Sequence, residues 1–350
     1  MPQTYGDLMT TNLHAAKKNK NDEFYTQYSD IEKEIEAHLE YNPNLFKNKI
    51  IHLPCDDPEW SNFTKYFSDN FQRLNLQKVV STSFSFEGKG KVGVIDKNGV
   101  EWHYLEDNGD FRSEEVCLIR DGADMIITNP PFSMFKFLVP WIGDKEFLII
   151  GNINAVTYKE IFKLIKDNKL WWGYNANKTL EFRLPDHYTK WKYLDEETGR
   201  KYGEVSGITW YTNFTTRRRN EPLILYKNYT PEQYPTYDNY DAIEVSKVKD
   251  IPYDYYGVMG VPITFLDKFC PNQFEIIALG IVGSCEFTCN KKMEILKNNL
   301  PTGKFTKNAK GTLYLKHNSR ETKPPAFKNV ETGELYASRY ARILIKRKQY

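Results

Sequence analysis

The stretch Ala123-Asp124-Met125-Ile126-Ile127-Thr128-Asn129-Pro130-Pro131-Phe132 decides the reading of the fold. Residues 123–128 form a short apolar run of the kind that lies buried on both faces of a parallel sheet. Two consecutive prolines then fix φ and remove two backbone donors, so the strand ends in a rigid turn. Phe135, Leu138 and Val139 come next at helical spacing. Strand, turn and helix in that order are the repeating unit of an α/β protein.

The same alternation recurs on either side. Ile31, Ile35 and Leu39 mark a helix over Ser29–Tyr41, with Ser29 or Asp30 as its N-cap. Lys49–Leu53 reads as a buried strand ended by Pro54-Cys55-Asp56-Asp57-Pro58, after which Phe63, Tyr66, Phe67 and Phe71 share a helical face. Lys78–Thr82 is a second strand, and Lys91–Leu105 is a hairpin turning at Asn98-Gly99. Phe147–Ile150 is a further strand and Tyr158–Asp167 a helix. A mostly parallel sheet covered by helices on both faces is expected, with ligands held beyond the carboxyl ends of its strands. After about Asn220 the alternation gives way to Pro/Tyr/Asn-rich segments such as Tyr234–Tyr240. Three regions are therefore expected: a polar arm over 1–22, a domain over 23–220, and a second region over 221–350 whose last strand returns to the core.

Composition narrows the function classes. Of 350 residues, 40% are hydrophobic and 27% charged, as in ordinary soluble globular proteins. No run approaches the roughly 18 apolar residues of a membrane span. The start lacks a basic-then-apolar leader pattern, and five scattered cysteines suit reduced thiols, so a cytoplasmic protein is expected. Cys285 and Cys289 are the one close cysteine pair, and with no His cluster beside them no metal is expected. The formal net charge of +2 conceals an asymmetry. Lys291–Tyr350 holds 15 Lys/Arg against 4 Asp/Glu, net +11, while the other 290 residues carry 33 against 42, net −9. A basic end suits contact with a phosphate backbone, although a solvated tail has the same composition.

The turn at Asn129-Pro130-Pro131-Phe132 has a chemistry of its own. An amide side chain beside a rigid carbonyl can accept both hydrogens of an NH₂ group, which draws the nitrogen lone pair out of conjugation. Phe132 offers a face for a base lifted out of a duplex. With an activated sulfonium as methyl donor, positioning supplies most of the rest and no nucleophile is needed. Four residues alone also fit a plain strand-to-helix turn; the strand before and the helix after favour a site. Pro54-Cys55 is the dipeptide that carries the nucleophile of cytosine-5 methyltransferases. Here it stands after the first strand, where a cofactor binds, and no Glu-Asn-Val partner accompanies it.

Over most of its length the chain resembles the EcoRI-type adenine-specific DNA methyltransferases. The resemblance is carried by Asp22–Tyr28 with Asp30-Ile31-Glu32, by Cys55-Asp56-Asp57-Pro58 with Ser61-Asn62-Phe63, and by Gly109–Ser113. It continues through Thr128–Ser133, Phe147–Asn152, Tyr237–Leu266 and Arg342–Lys346, and leaves about Ile281–Ser338 without a counterpart. It implies an α/β, Rossmann-like S-adenosylmethionine-dependent methyltransferase sheet with a C-terminal target-recognition region. The implied reaction methylates the exocyclic amine of an adenine flipped from double-stranded DNA. The implied agent is a monomer, in a bacterial or phage restriction-modification setting.

Residue by residue, the resemblance makes Asn129, Pro130, Pro131 and Phe132 catalytic. It implies a cofactor site with Phe24, Tyr25 and Thr26 at the methionine end, and Cys55, Asp56 and Asp57 after the first strand. One of those carboxylates would meet the cofactor's amino group or ribose, and Asp110 and Phe111 would bond and stack its adenine. Trp210 and Tyr211 resemble the aromatic strand that lines the target-base pocket, and Arg217, Arg218 and Arg219 come soon enough after it to grip phosphates around the pocket. An ordinary strand and a charged loop would read the same. The usual Gly-rich loop after the first strand is missing, and no acidic residue ends Val79–Thr82. Lys304, Lys307, Lys310, Lys316 and Arg320 are expected at the DNA, with Arg339, Arg342, Lys346, Arg347 and Lys348 flanking a final strand. Two other readings stay open from the residues alone: a methyltransferase acting on RNA adenine or protein Gln, and a non-catalytic DNA-binding protein on the same fold.

Overall fold

The computed structural model describes residues 25–176, 179–185, 188–281, 292–306, 312–317 and 324–349. Phe24, Cys285, Cys289, Lys307, Lys310 and Arg320 lie outside the described residues. The chain divides into two compact units, one within 1–155 and 170–216, the other within 156–169 and 217–350. Among the described residues no helix is long and apolar enough to cross a membrane.

The elements of the first unit are β1 (Tyr25–Thr26), α1 (Tyr28–Tyr41), β2 (Ile50–Leu53), α2 (Asn62–Asp69), β3 (Lys78–Ser83), β4 (Lys91–Asp96), β5 (Gly99–Tyr104), α3 (Glu114–Asp121), β6 (Met125–Thr128), α4 (Phe135–Ile142), β7 (Glu146–Asn152), β8 (Trp171–Trp172), β9 (Leu180–Leu184), β10 (Tyr193–Leu194), β11 (Lys201–Val205) and β12 (Ile208–Thr212). An eight-stranded sheet runs β5-β4-β3-β2-β6-β7-β12-β8. Its centre, β3-β2-β6-β7, is parallel, and both flanks are antiparallel, so the sheet is mixed rather than mostly parallel. The hairpin explains one flank, since a tight turn can join only antiparallel strands. Helix α1 begins at Tyr28 with Gln27 at its N-cap, ahead of the expected Ser29 or Asp30.

Strand alternation assigns the two faces. Ile51, Leu53, Met125, Ile127, Leu148, Ile150 and Trp210 join one core with Ile31 and Ile35 of α1 and Phe63, Tyr66 and Phe67 of α2. The intervening His52 and Tyr211 meet Trp141 and Phe135 of α4 instead. Helices therefore cover both faces, and each buried Leu, Ile or Phe contributes about 1.5–3 kcal/mol. Helix α1 is further tied down by a buried carboxylate. Glu34 accepts bonds from the backbone N–H groups of Tyr174 (2.7 Å) and Asn175 (2.9 Å) and from Asn175 Nδ2 (2.7 Å), with His38 Nε2 at 3.1 Å. That segment leads toward β9, which pairs with β1 in a small sheet ordered β1-β9-β11-β10.

The second unit contains α5 (Lys159–Lys166), β13 (Ile243–Glu244), β14 (Val258–Pro262), β15 (Phe274–Gly280), β16 (Met293–Lys297), β17 (Leu300–Thr306), β18 (Tyr314–Lys316), β19 (Phe327–Asn329), β20 (Leu335–Ser338) and β21 (Arg342–Arg347). Its two sheets run β13-β14-β21-β15 and β17-β16-β19-β20-β18. The last strand, β21, thus sits between β14 and β15 inside this unit. Arg342 anchors it with charge-assisted bonds from Nε (3.0 Å) and Nη2 (2.8 Å) to buried Glu244, which the Tyr237 hydroxyl also reaches.

Glu34→Ala leaves two buried N–H donors of Asn175 and a half-buried one of Tyr174 without an acceptor and is expected to cost about 3 kcal/mol or more. Urea unfolding measures this, and Glu34→Gln, which keeps one acceptor, should lose less.

Candidate active site

Parallel pairing brings the carboxyl ends of β3, β2 and β6 side by side. The segments leaving these strands therefore meet one another. Asp56, after β2, is buried, and both its oxygens are engaged. The Ser61 hydroxyl donates to Oδ1 and the Thr128 hydroxyl to Oδ2, each at 2.6 Å. Its backbone N–H donates to Thr82 O at the end of β3 (3.0 Å). Ser61 also caps α2, accepting from Phe63 N (3.1 Å). One side chain thus stitches the loop after β2 to the end of β6. Burial pushes the Asp56 carboxyl up to about 7, against the lowering effect of the two hydroxyls.

Asp57 accepts from Ser83 Oγ (3.2 Å) and from Glu59 N (2.9 Å), and lies 3.5 Å from Lys91 Nζ. Thr128 leads directly into Asn129. The Asn129 Nδ2 donates to Thr26 Oγ1 (3.0 Å), and Asn62 Nδ2 donates to the Thr26 carbonyl (2.7 Å). Strand β1 is therefore gripped on both sides, and the carboxamide of Asn129 has a fixed orientation. Pro130 is buried, while Pro131 and Phe132 are half-buried, Phe132 against the core. Tyr25 meets Trp60 edge-on (5.0 Å) beneath the Arg183 guanidinium (5.1 Å).

The third contributor arrives through a close approach. Gly109 has φ +78° and lies so near the Ser83 carbonyl that a Cβ would collide with it. Asp110 is the next residue. Burial would raise its carboxyl, but bonds from Arg112 Nε (2.9 Å) and Nη2 (2.6 Å) hold it below the usual carboxylate range. Phe111 is buried with its ring edge-on to Trp141 (5.3 Å). Cys55 is half-buried. Among the described residues no group of three or more His, Cys, Asp or Glu could hold a metal ion.

Tyr25, Thr26, Cys55, Asp56, Asp57, Asp110 and the Asn129–Phe132 turn thus share one edge of the sheet. Trp210 and Tyr211 of β12 pair with Ile150 and Ile149 of β7, and Ile149 pairs in turn with Thr128, so they lie level with the end of β6. Both are completely buried in β12, and as strand neighbours they point to opposite faces, Trp210 to Phe63 and Tyr211 to Phe135. Arg217, Arg218 and Arg219 belong to the second unit and have partners there. Arg217 bonds Glu221 (2.6 Å) and Arg218 bonds Asp267 (2.9 Å). Arg219 is buried, bonds Asn168 and lies over Phe269, and burial draws its guanidinium down to about 10. Lys316 pairs with Glu334. The roles of Ser61, Asn62, Ser83 and Thr128 were not read from sequence. Only Ser61 carried a local signal, an N-cap residue before an apolar helix.

An acid raised by burial keeps its proton in the folded state after the unfolded chain has released it. Stability from Asp56 therefore falls as pH rises from about 4, where a free carboxyl titrates, to about 7. Asp56→Asn cannot ionise, so its stability relative to wild type should rise across that window, by at most about 1.4 kcal/mol per pH unit. Urea unfolding of both proteins at the two ends of the window is the check. A constant difference would contradict the burial argument.

A family profile described as adenine-specific methyltransferase EcoRI matches residues 12–101 and 87–348. The Type II methyltransferase M.EcoRI of Escherichia coli is 40% identical over 309 residues, covering 79% of this chain and 94% of its own length. The Type II methyltransferase M.MpnI of Mycoplasma pneumoniae is 38% identical over 273 residues, 76% of this chain and 84% of its own length. No solved structure matches the chain. On matches that run through both the strand-end edge and the second unit, the chain belongs to the EcoRI family of adenine-specific methyltransferases.

Proposed function

We propose that this protein is a site-specific DNA adenine methyltransferase that modifies the exocyclic amine of a flipped-out adenine in duplex DNA. One observation supports it above the others. Asn129 stands at the carboxyl end of β6 with its amide nitrogen bonded to Thr26 and its backbone steadied by the Asp56–Thr128 bond. The Type II names of the relatives point to a restriction-modification setting. The fold reading that goes with it is a Rossmann-like sheet in the first unit and target recognition in the second.

S-adenosylmethionine, when bound, supplies an activated methyl group on a sulfonium. The strand-end edge fits such a molecule chemically. Asp57, Asp110 and Thr26 offer acceptors for ammonium and hydroxyl donors, and Tyr25 and Trp60 offer rings. Asp56 is assigned differently from its neighbour. With both oxygens engaged by Ser61 and Thr128, it holds the turn, and Asp57 is the better cofactor contact.

At the acceptor, the Asn129 carboxamide oxygen and the Pro130 carbonyl each take one hydrogen of the amine. The nitrogen lone pair then leaves conjugation with the purine and is directed at the methyl donor. With Nδ2 engaged by Thr26, the other end of the carboxamide is the one that faces the amine. Phe132 stacks on the lifted base. Trp210 and Tyr211, buried in the strand beyond β7 at the level of Thr128, would back this pocket from within the sheet.

Purified protein should transfer tritium from labelled S-adenosylmethionine to duplex DNA, and digestion should release 6-methyladenine. Label appearing in RNA or protein and not in DNA would sink the proposal. Asn129→Ala should abolish turnover while DNA binding survives, and near-normal turnover would remove Asn129 from its role. Thr26→Val, which loses the orienting bond and the hydroxyl offered to the cofactor, should lower kcat/KM about tenfold.

A further inference from the structure

The β16–β17 hairpin of the second unit carries side chains that packing does not account for. Its pairing with β19 covers only Met293–Ile295, so the end beyond Leu296 extends past its neighbouring strand. That end, Lys297-Asn298-Asn299-Leu300, is exposed at every position, with Lys297 paired to Leu300 across it. Asn298 and Asn299 have φ of 50° and 65°, a two-residue turn with both residues left-handed. Such turns favour asparagine at the first position and glycine at the second, and the hairpins β4–β5 and β19–β20 of this chain give their positive-φ position to Gly99 and Gly333. Among the described residues, Asn298 and Asn299 are the only two successive non-glycine residues with positive φ. At Asn299, where glycine is the preferred residue, a side chain kept in its place points to a use for that side chain.

The chemistry of that use is set by the surroundings of the tip. Lys292, Lys297 and Lys304 on the hairpin and Lys328 on β19 are exposed. Among the described residues none of the four has a carboxylate partner, unlike Lys316 nearby, which pairs with Glu334. They lie in the segment of net charge +11. A bulge between Glu294 and Leu296, accommodated by Gly303 at φ +68°, adds twist to the ribbon. A twisted two-stranded ribbon fits the major groove, and a carboxamide bonds both the acceptor and the donor on the groove edge of adenine.

We propose that this hairpin reads the recognition sequence, with Asn298 and Asn299 on base edges in the major groove and Lys292, Lys297 and Lys304 on the flanking phosphates. The inference rests on the DNA-methyltransferase reading above. The test is the full-length Asn298→Gly/Asn299→Gly protein, which keeps the turn in its preferred residues. Its thermal midpoint should equal or exceed that of wild type, and calorimetric S-adenosylmethionine binding should be unchanged. Its kcat/KM on the cognate duplex should fall at least tenfold, and sequencing should show a relaxed set of methylated adenines. Retention of the same adenines with kcat/KM within about twofold of wild type overturns the assignment while leaving the methyltransferase intact. Wild-type protein that labels no duplex DNA removes the underlying reading and the inference with it. As a second measurement, Lys297→Ala/Lys304→Ala should flatten the dependence of log affinity on log salt by about 0.9 per lysine, and an unchanged slope contradicts the phosphate contacts.

Discussion

Two hydroxyls close on the two oxygens of one buried carboxylate: Ser61 and Thr128 on Asp56. A carboxyl group shut away from water is tolerated only if its oxygens are bonded, and a hydroxyl removed from either side would leave it short. Each hydroxyl also commits its own backbone. Ser61 starts α2, and Thr128 ends β6 and hands the chain to Asn129. The geometry of the turn is thus inherited from the loop after a neighbouring strand. A glycine-rich loop is absent at that loop, and the carboxylate supplies the rigidity.

Two other buried acids work in the same manner. Glu34 binds a segment 141 residues away, and Glu244 binds Arg342 at a distance of 98, compared with 72 for Asp56 and Thr128. In each case a carboxyl group that is costly to bury unbonded is held by at least one donor far away in sequence. The cost is what makes the join specific, because an alternative pairing would strand a carboxylate in the interior. Apolar burial makes each unit cohesive, and these three acids fix which distant segments meet.

Much of the first unit was legible because its signals are local. Strands β2, β3, β6 and β7 appear as short apolar runs, and α1, α2 and α5 as repeats of three and four, with ends displaced by a residue or two. Pairing partners are not local. The mixed character of the sheet depends on β12 returning antiparallel to β7, which no periodicity records. At the site, the motif located Asn129 but could not show that Asp56 faces inward to hydroxyls while Asp57 faces Ser83 and Lys91. Trp210 and Tyr211 were legible as a strand, but not the face each side chain takes. Adjacent residues of a doubly covered strand point to different sides. Of the three consecutive arginines, Arg218 and Arg219 have partners, Asp267 and Asn168, some fifty positions away, which no local pattern records.

Strand β21 lies between β14 and β15, and Arg342 within it neutralises Glu244. The centre of that sheet is therefore supplied by residues 342–347, the last to leave the ribosome among all those the sheet contains. Until then β14 and β15 have no strand between them, and Glu244 has no guanidinium. Synthesis at about 5–20 residues per second leaves the nascent second unit with an open sheet for several seconds. Chaperone demand during translation should concentrate on this half, and chains that stop short of Arg342 should be cleared by proteases rather than persist as a shortened protein.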